Sequence, residues 1–289
     1  MSTALWCAGL GHRYGRKIWG LRDCDLDVPA GRVVALVGPN GSGKTTLMSM
    51  AAGLLPASAG GVEAAGGAPA QRLDRIGFVA QDAPLWPRLR VADVLAIGRC
   101  MNRGFDAAMA SQRIRRLGIR TRARISALSG GERAQVALTL VLAKKPELFL
   151  LDEPTANLDP LARREFLSSM FEACTETGAT VLYSSHAVAE LERICDYLIV
   201  LRAGHVRLAG DIDELRQQHR VICGPHGWPG GGGWQVISQR STAARTTALV
   251  RHDARLAGPG LQDAAPTFDE LVLGYLEDDA AALPQEALA

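Results

Sequence analysis

A glycine-rich segment at residues 38–46 combines residue types that together can bind phosphate. It follows the apolar run Val33–Val37 and precedes a stretch predicted to be helical. This is the G-x-x-x-x-G-K-[ST] pattern in the strand–loop–helix order that supports it. Glycines let successive backbone N–H groups turn toward one point at a helix N-terminus, where they bind anions. The segment therefore predicts a site for the phosphates of a nucleoside triphosphate. Its residues are Gly38, Pro39, Asn40, Gly41, Ser42, Gly43, Lys44, Thr45 and Thr46.

Two side chains of this segment add charge and a metal ligand. Lys44 brings a mobile positive charge to the β- and γ-phosphates, and the Thr45 hydroxyl can ligate Mg²⁺. The chain uses arginine for most of its 32 basic residues, so a lysine here indicates chemistry that arginine does not supply. A glycine-rich turn without a ligand is disfavoured because the full pattern occurs in its expected context.

Two acids end a later apolar strand, Leu148–Asp152. Neighbouring residues of a strand face opposite ways, so Asp152 and Glu153 should have different roles. Asp152 can hold Mg²⁺ through its water shell, which leaves Glu153 to orient or deprotonate the attacking water. An acid pair beside a turn, with Pro154 following, fits these residues equally well when they are taken alone. The phosphate-binding loop upstream favours the catalytic interpretation.

A second candidate anion site precedes the helical run Ala134–Ala143. Ser129 and Glu132 form a capping box, which explains these two residues as a helix start. The box does not explain Gly130 and Gly131, because glycine in the first turn lowers helix propensity. Glycines there permit close approach of the backbone to an anion. Two such sites far apart in one chain suggest a ligand shared between subunits.

Three further residues are weak candidates individually. His186 follows the strand Thr180–Ser184, and a histidine at such a junction is usually a capping or packing residue. Gln81 ends the run Ile76–Ala80. Tyr14 is an aromatic residue upstream of the loop that either stacks on a base or covers an edge of a sheet. Their order along the chain, relative to the stronger motifs, is what makes them candidates.

The elements that position these residues predict an α/β fold. Partly alternating strands at Leu5–Leu10 and Cys24–Val28 are typical of an antiparallel sheet, whereas the later strands are continuous apolar runs typical of a sheet covered on both faces. Between 84 and about 142 the pattern becomes helical, with Asp106 as an N-cap. We expect a helical block inserted into a strand-rich core.

The composition changes after Leu215. Residues 224–233 (GPHGWPGGGG) predict a flexible break, and 234–237 and 246–251 are candidate paired strands. Thr267 and Glu270 predict a capping box before a helix with an apolar face, which must pack against the core or another subunit. We expect a small α+β extension at 216–289, after a first domain at 1–215.

Composition limits the functional classes. A formal net charge of +2 is too small for a protein that coats nucleic acid by charge alone, so no nucleic-acid partner is expected. The six cysteines are scattered without a C-x-x-C pair, which suits reduced thiols better than zinc ligands or disulfides. No apolar run reaches the about 18 residues of a membrane span. Any membrane role must come through a partner.

Taken in order over residues 3–215, these motifs resemble those of the ATP-binding cassette (ABC) ATPase family. Residues 38–46 are similar to its Walker A loop, 128–132 to its LSGGQ signature, and 148–153 to Walker B with its catalytic glutamate. Gln81 stands at the Q-loop position, Asn157-Leu158-Asp159 at the D-loop, His186 at the switch histidine, and Tyr14 at the adenine-stacking aromatic. Glu132 replaces the glutamine of the signature, and no departure removes a phosphate or metal contact.

The resemblance implies a P-loop NTPase (RecA-like) core with an antiparallel β-subdomain and an inserted α-helical subdomain at about 84–142. It implies ATP and Mg²⁺ as cofactors, with Thr45, Gln81 and Asp152 near the metal, and catalytic roles for Glu153, His186 and Gln81. It also implies a head-to-tail dimer, a homodimer or a pair of close paralogues. In that dimer ATP lies between Walker A of one subunit and Ser129–Glu132 and Asp159 of the other.

The resemblance further implies integral membrane permease subunits as partners and a peripheral position on the cytoplasmic face of the membrane. The terminal helix at 268–276 is similar to that of ATPase subunits of bacterial drug, antibiotic and polysaccharide exporters, so export is the expected direction. The alternative is a soluble ABC ATPase of translation, repair or cluster assembly. Most of those carry tandem cassettes, coiled-coil insertions or zinc modules, which are missing here. A GTPase or kinase outside the family would leave the signature unexplained.

Overall fold

The computed structural model describes residues 2–15, 17–81, 84–156, 158–185, 188–226, 234–252 and 260–277. The strands in these segments are β1 (Thr3–Tyr14), β2 (Ile18–Pro29), β3 (Val33–Val37), β4 (Ala59–Ala64), β5 (Ile76–Val79), β6 (Leu148–Asp152), β7 (Thr180–Ser184), β8 (Tyr197–Arg202), β9 (His205–Asp211), β10 (His219–Pro225), β11 (Gln235–Ser241), β12 (Arg245–Arg251) and β13 (Gln262–Ala264). The α-helices are α1 (Lys44–Ala51), α2 (Val91–Met101), α3 (Ala107–Arg116), α4 (Gly130–Lys144), α5 (Pro160–Thr177), α6 (Val188–Ile194), α7 (Ile212–Gln218) and α8 (Phe268–Leu276).

A six-stranded sheet in the order β5-β6-β7-β3-β8-β9 forms the centre of the fold. All its pairs are parallel except β8 with β9. Alternate residues of β3 enter different hydrophobic clusters: Ala35 and Val37 join one cluster, and Val34 and Leu36 join the other. The sheet is therefore covered on both faces, as the continuous apolar strands predict.

The N-terminal strands form a separate antiparallel sheet in the order β2-β1-β4. Its apolar side chains share the second cluster with Leu47 and Met48 of α1, so this sheet packs on the helix that follows the phosphate-binding loop. The antiparallel sheet expected from the alternating pattern is confirmed. The strands are longer than predicted because β1 and β2 extend to a hairpin that ends at Tyr14 and Ile18.

Helices α2 and α3 and the start of α4 surround a third hydrophobic cluster of their own. Asp106 is the N-cap of α3, as predicted, because its carboxylate accepts the N–H of Met109 at 2.9 Å. Helix α4 belongs to two packing units: Val136 lies in this third cluster, whereas Leu138 and Leu142 lie in the central one. The inserted block is thus anchored to the central sheet by α4.

The C-terminal strands form a four-stranded antiparallel sheet in the order β11-β12-β10-β13. The predicted pairing of 234–237 with 246–251 is confirmed by β11 and β12, and the capping box of Thr267 and Glu270 is present. The break expected from Gly224 begins too early, because Gly224 and Pro225 continue β10 and pair with β12. His226 follows as a turn, and residues 227–233 of that predicted break lie outside the described residues. None of the described helices is long and apolar enough to cross a bilayer.

Candidate functional site

The loop between β3 and α1 leaves the start of α1 without a side-chain cap. Gly43 is the N-cap of α1 and has a φ of 105°, and Gly41 has a φ of 79°. A Cβ atom on Gly43 would lie 2.6 Å from the carbonyl oxygen of Gly20, so only glycine fits there. The first turn contains no acidic residue. Backbone N–H groups at the start of α1 therefore have no side-chain cap. Together with the positive end of the helix dipole, they suit an anion.

Lys44 is buried against this loop. Its Nζ atom donates to the carbonyl oxygens of Gly38 at 2.8 Å and Pro39 at 3.2 Å, and lies 3.8 Å from Oε1 of Glu153. Burial lowers the pKa of Lys44, while the neighbouring carboxylates of Glu153 and Asp152 act in the opposite direction. The ammonium group therefore faces the catalytic candidate Glu153 across the loop.

An open cavity of about 490 Å³ lies over the loop. Most of the predicted phosphate-binding residues line it, together with Tyr14, Gln81 and Glu153, which come from three other parts of the chain. The lining residues are Tyr14, Ile18, Trp19, Gly20, Asn40, Gly41, Ser42, Gly43, Lys44, Thr45, Thr46, Gln81 and Glu153. Gly38 and Pro39 are not among them, and their carbonyl oxygens accept the hydrogen bonds of Lys44. The buried Ser42 hydroxyl has no partner among the described residues, which leaves it available to a ligand.

The aromatic wall of the cavity comes from the hairpin of β1 and β2. Tyr14 is 45% exposed, and its hydroxyl lies 3.0 Å from Oγ1 of Thr46. Trp19, which sequence reasoning missed, has the guanidinium of Arg13 at 4.4 Å from its ring centre. No local pattern marks Trp19, since only the hairpin pairing of Trp19 with Arg13 brings it to the site. Tyr14 and Trp19 thus place two aromatic side chains on the cavity wall, and aromatic ring faces suit a nucleobase.

The two acids at the end of β6 differ in position, as the sequence predicts. Asp152 is buried and outside the cavity lining, whereas Glu153 reaches the cavity. Glu153 has a φ of 46°, a left-handed backbone that is uncommon for a residue with a side chain. Ser184, at the end of β7, bridges the pair: it accepts the N–H of Glu153 at 2.9 Å and donates to Oδ1 of Asp152 at 2.9 Å. Sequence reasoning also missed Ser184.

The donor atoms here suit Mg²⁺ with a bound triphosphate. Thr45, Gln81 and Asp152 would supply hydroxyl, amide and carboxylate oxygens, which are hard ligands. No group of three or more His, Cys, Asp or Glu side chains in the described part of the chain could hold a metal ion. Mg²⁺ is usually bound through one or two carboxylates together with substrate phosphates and water. When bound, the ion would neutralise charge on the phosphates.

The second predicted anion site lies apart from the cavity. Ser129 accepts the N–H of Glu132 at 3.1 Å, and Glu132 accepts the N–H of Ser129 at 2.8 Å, which confirms the capping box. A Cβ atom on Gly131 would lie 3.1 Å from Cβ of Ala162, so the start of α4 faces the start of α5. Asp159 caps α5 by accepting the N–H of Ala162 at 3.0 Å. Residues 129–132 and Asp159 do not line the cavity, and His186 and Asn157 lie outside the described residues.

The chain belongs to the ABC transporter family, as one of its ATP-binding subunits. The model of the family described as "ABC transporter" matches residues 21–156. The aliphatic sulfonates import ATP-binding protein of Pseudomonas aeruginosa is 37% identical over 214 residues, 73% of this chain and 77% of that protein. The thiamine import ATP-binding protein of Jannaschia sp. is 37% identical over 197 residues, 65% of this chain and 86% of that protein. Membership establishes the chain as an ATP-binding ATPase of the P-loop NTPase fold, as the sequence motifs predict.

Solved structures agree with this fold. A structure described as the ATP binding subunit of an ABC transporter has a TM-score of 0.67 and 29% identity, and covers 75% of this chain and 93% of its own. A component of an ABC transporter complex of Clostridium perfringens has a TM-score of 0.63 and 27% identity, over 74% of this chain and 90% of its own. The similar proteins named above are import proteins, so the expected direction, export, receives no support from them.

Proposed function

We propose that this chain hydrolyses ATP at the cavity over Gly38–Thr46 and that Glu153 acts on the attacking water. The observation that carries the proposal is the convergence of an uncapped helix start, Lys44 and Glu153 on one open cavity. The first two bind phosphate by charge and hydrogen bonds. Glu153 then stands 3.8 Å from the lysine that would hold the γ-phosphate, within reach of a water beside it.

The proposed roles of the remaining residues follow from their positions. The wall formed by Tyr14 and Trp19 would receive the adenine ring. Thr45, Gln81 and Asp152 would hold Mg²⁺ directly or through water. His186 remains a proposed γ-phosphate contact on the strength of the family pattern alone. The division into a first domain at 1–215 and an extension at 216–289 likewise remains a proposal.

The open side of the cavity supports a site shared between two subunits. Ser129–Glu132 and Asp159 lie outside the cavity of their own chain, at the paired starts of α4 and α5. In a head-to-tail dimer these residues would close the cavity of the partner, and the partner's signature would close this one. Glycine at 130 and 131 would allow that close approach.

The proposed biological role is to energise transport through separate membrane permease subunits, from the cytoplasmic face of the membrane. ATP-binding subunits of this family work with such permeases, and the relatives named above are import proteins. The proposal therefore covers transport without assigning export. Co-fractionation with membranes alongside the permease encoded by a neighbouring gene tests it. A chain that never co-fractionates would instead favour a soluble ABC ATPase.

Three variants test the site. Lys44→Ala should abolish ATP binding because it removes the positive charge at the loop. Glu153→Gln should retain ATP binding, abolish turnover and accumulate an ATP-bound dimer that elutes early in gel filtration; unchanged turnover would refute the role of Glu153. Gly130→Asp should bind nucleotide as a monomer yet fail to dimerise, since it places a carboxylate where the partner's phosphates would lie. A normal ATP-dependent dimer of Gly130→Asp would contradict the shared site.

A further inference from the structure

The hydroxyl of Ser184 connects the two acids of the candidate active site. Ser184 is the last residue of β7 and pairs in register with Asp152 of β6. It is fully buried. Its Oγ atom accepts the backbone N–H of Glu153 at 2.9 Å and donates to Oδ1 of Asp152 at 2.9 Å. One hydroxyl thus holds the backbone of one acid and the carboxylate of the other.

We propose that Ser184 is a positioning residue for ATP hydrolysis, which fixes Glu153 relative to the metal-side acid Asp152. This inference rests on the proposed roles of Glu153 and Asp152. A hydroxyl can donate one hydrogen bond and accept others, so Ser184 can serve both acids at once. A carboxylate oxygen accepts hydrogen bonds, so the Ser184 proton points to Oδ1 of Asp152 and a lone pair of the hydroxyl faces the N–H of Glu153.

Core packing does not account for a serine at this position. The rest of β7 is buried, and a small apolar side chain would satisfy packing there without a polar group. Burying a hydroxyl is unfavourable unless it is hydrogen-bonded. The two short hydrogen bonds of Ser184, both 2.9 Å, go to the acid pair, and its contact with the carbonyl oxygen of Leu151 is longer at 3.5 Å. The acid pair therefore accounts for most of its polar bonding.

The backbone of Glu153 shows why such support matters. Its φ of 46° is unfavourable for a residue with a Cβ atom, and such residues persist where the surrounding structure fixes them. The bond from its N–H to Ser184 is one such constraint. Without it the peptide can relax and move the carboxylate that reaches the cavity. Displacement of a reacting group by about 1 Å can lower a rate about 100-fold.

The experiment compares ATP hydrolysis by the full chain with Ser184→Ala, Ser184→Cys and Ser184→Thr. Ser184→Ala should lower kcat by about 10- to 100-fold, with KM for ATP changed less than about threefold, because Ser184 does not line the cavity. The Mg²⁺ concentration for half-maximal activity should rise about tenfold or more, because Asp152 loses its hydrogen-bond donor. Ser184→Thr keeps the hydroxyl and should recover most of kcat. Ser184→Cys is slightly larger than serine and carries a weaker hydrogen-bonding group. Its kcat should resemble that of Ser184→Ala, which keeps the test valid if the alanine variant does not fold.

Thr180→Val is the matched control in the same strand. Thr180 is also buried, and its hydroxyl accepts the backbone N–H of Gly31 at 2.8 Å, at the opposite end of β7. This variant loses a comparable buried hydrogen bond, so its melting temperature should fall while kcat and the Mg²⁺ requirement stay near wild type. The proposal is overturned if Ser184→Ala keeps the wild-type kcat and Mg²⁺ requirement. It is also overturned if Thr180→Val loses as much kcat as Ser184→Ala.

The outcome for Glu153→Gln separates this inference from the proposed function. Full turnover in Glu153→Gln would remove the proposed role of Glu153 and with it the basis for Ser184. Lost turnover in Glu153→Gln with normal turnover in Ser184→Ala would leave the proposed function standing and overturn only the inference about Ser184.

Discussion

Helix α8, at the far end of the sequence, packs against the same core as the central sheet. Phe268, Leu271 and Val272 are fully buried and belong to the cluster that contains Leu198 and Val200 of β8. We therefore predict that Phe268→Ala destabilises the nucleotide-binding part of the chain and not the C-terminal strands alone. Because the ring is completely buried, the main cause of this destabilisation is the loss of its packing contacts.

The magnitude follows from the burial. Replacing a buried phenylalanine by alanine costs about 3–5 kcal/mol, because transfer energy is lost and a cavity remains. Each kcal/mol shifts the melting temperature of a unit of this size by about 2–4 °C. Phe268→Ala should therefore melt roughly 6–20 °C lower than wild type. Leu273, on the same helix, is 43% exposed, so Leu273→Ala is a matched control that should cost less than about 1 kcal/mol.

Thermal unfolding should be followed by far-UV circular dichroism and, in parallel, by the loss of ATP binding. Both signals should fall together in Phe268→Ala at the lower temperature. If ATP binding is lost at the wild-type temperature while only a minor dichroism step shifts, α8 does not support the ATPase core. Equal shifts in Phe268→Ala and Leu273→Ala would also refute the packing of α8 against the central core.

Three further predictions concern single positions. Gly43→Ala should weaken ATP binding more than backbone strain alone would, because its Cβ would meet the Gly20 carbonyl oxygen at 2.6 Å and displace the loop. Gly41 has open space around it, so Gly41→Ala should carry only the strain of its positive φ, about 1–2 kcal/mol in urea unfolding without nucleotide. Burial lowers the pKa of His219, so the folded state resists its protonation; stability should fall as pH drops below about 6.5, and His219→Gln should reduce that loss in melting curves between about pH 7 and pH 5. Because the ring of Tyr14 is proposed to stack on the base, Tyr14→Phe should keep nucleotide affinity, whereas Tyr14→Ala should lose about tenfold in equilibrium titrations.

Local patterns predicted the central strands and the phosphate-binding loop because each is specified within a few neighbouring residues. Strand β4 was missed, since its Gly60 and Gly61 disfavour a strand and only pairing with β1 recruits it. Strands β9, β10 and β13 were missed as well. β13 has only three residues, and it exists through its pairing with β10.

The candidate site, like the fold, was predictable only where its residues stand in local motifs. Lys44, Asp152 and Glu153 stand in continuous motifs, so the sequence could predict them as candidates, and the structure places Lys44 and Glu153 on the same cavity. Ser184 could not, because it lies 32 residues from Asp152 and meets it only through the register of β6 and β7. Trp19 likewise enters the cavity through a hairpin pairing. Residues that act on the motifs through tertiary contacts are therefore the ones a single sequence leaves unseen.

The two glycine-rich helix starts of this chain differ in a way that would allow the proposed shared site to close. Helix α1 has no side-chain cap, whereas α4 is capped by Ser129, whose oxygen accepts the N–H of Glu132 at 3.1 Å. In that bond the serine uses a lone pair, and its own proton stays available. The same hydroxyl can therefore donate to a phosphate of the opposing subunit without giving up the cap. Closure of the dimer would then add a hydrogen bond at α4 while the helix start keeps the partner it already has.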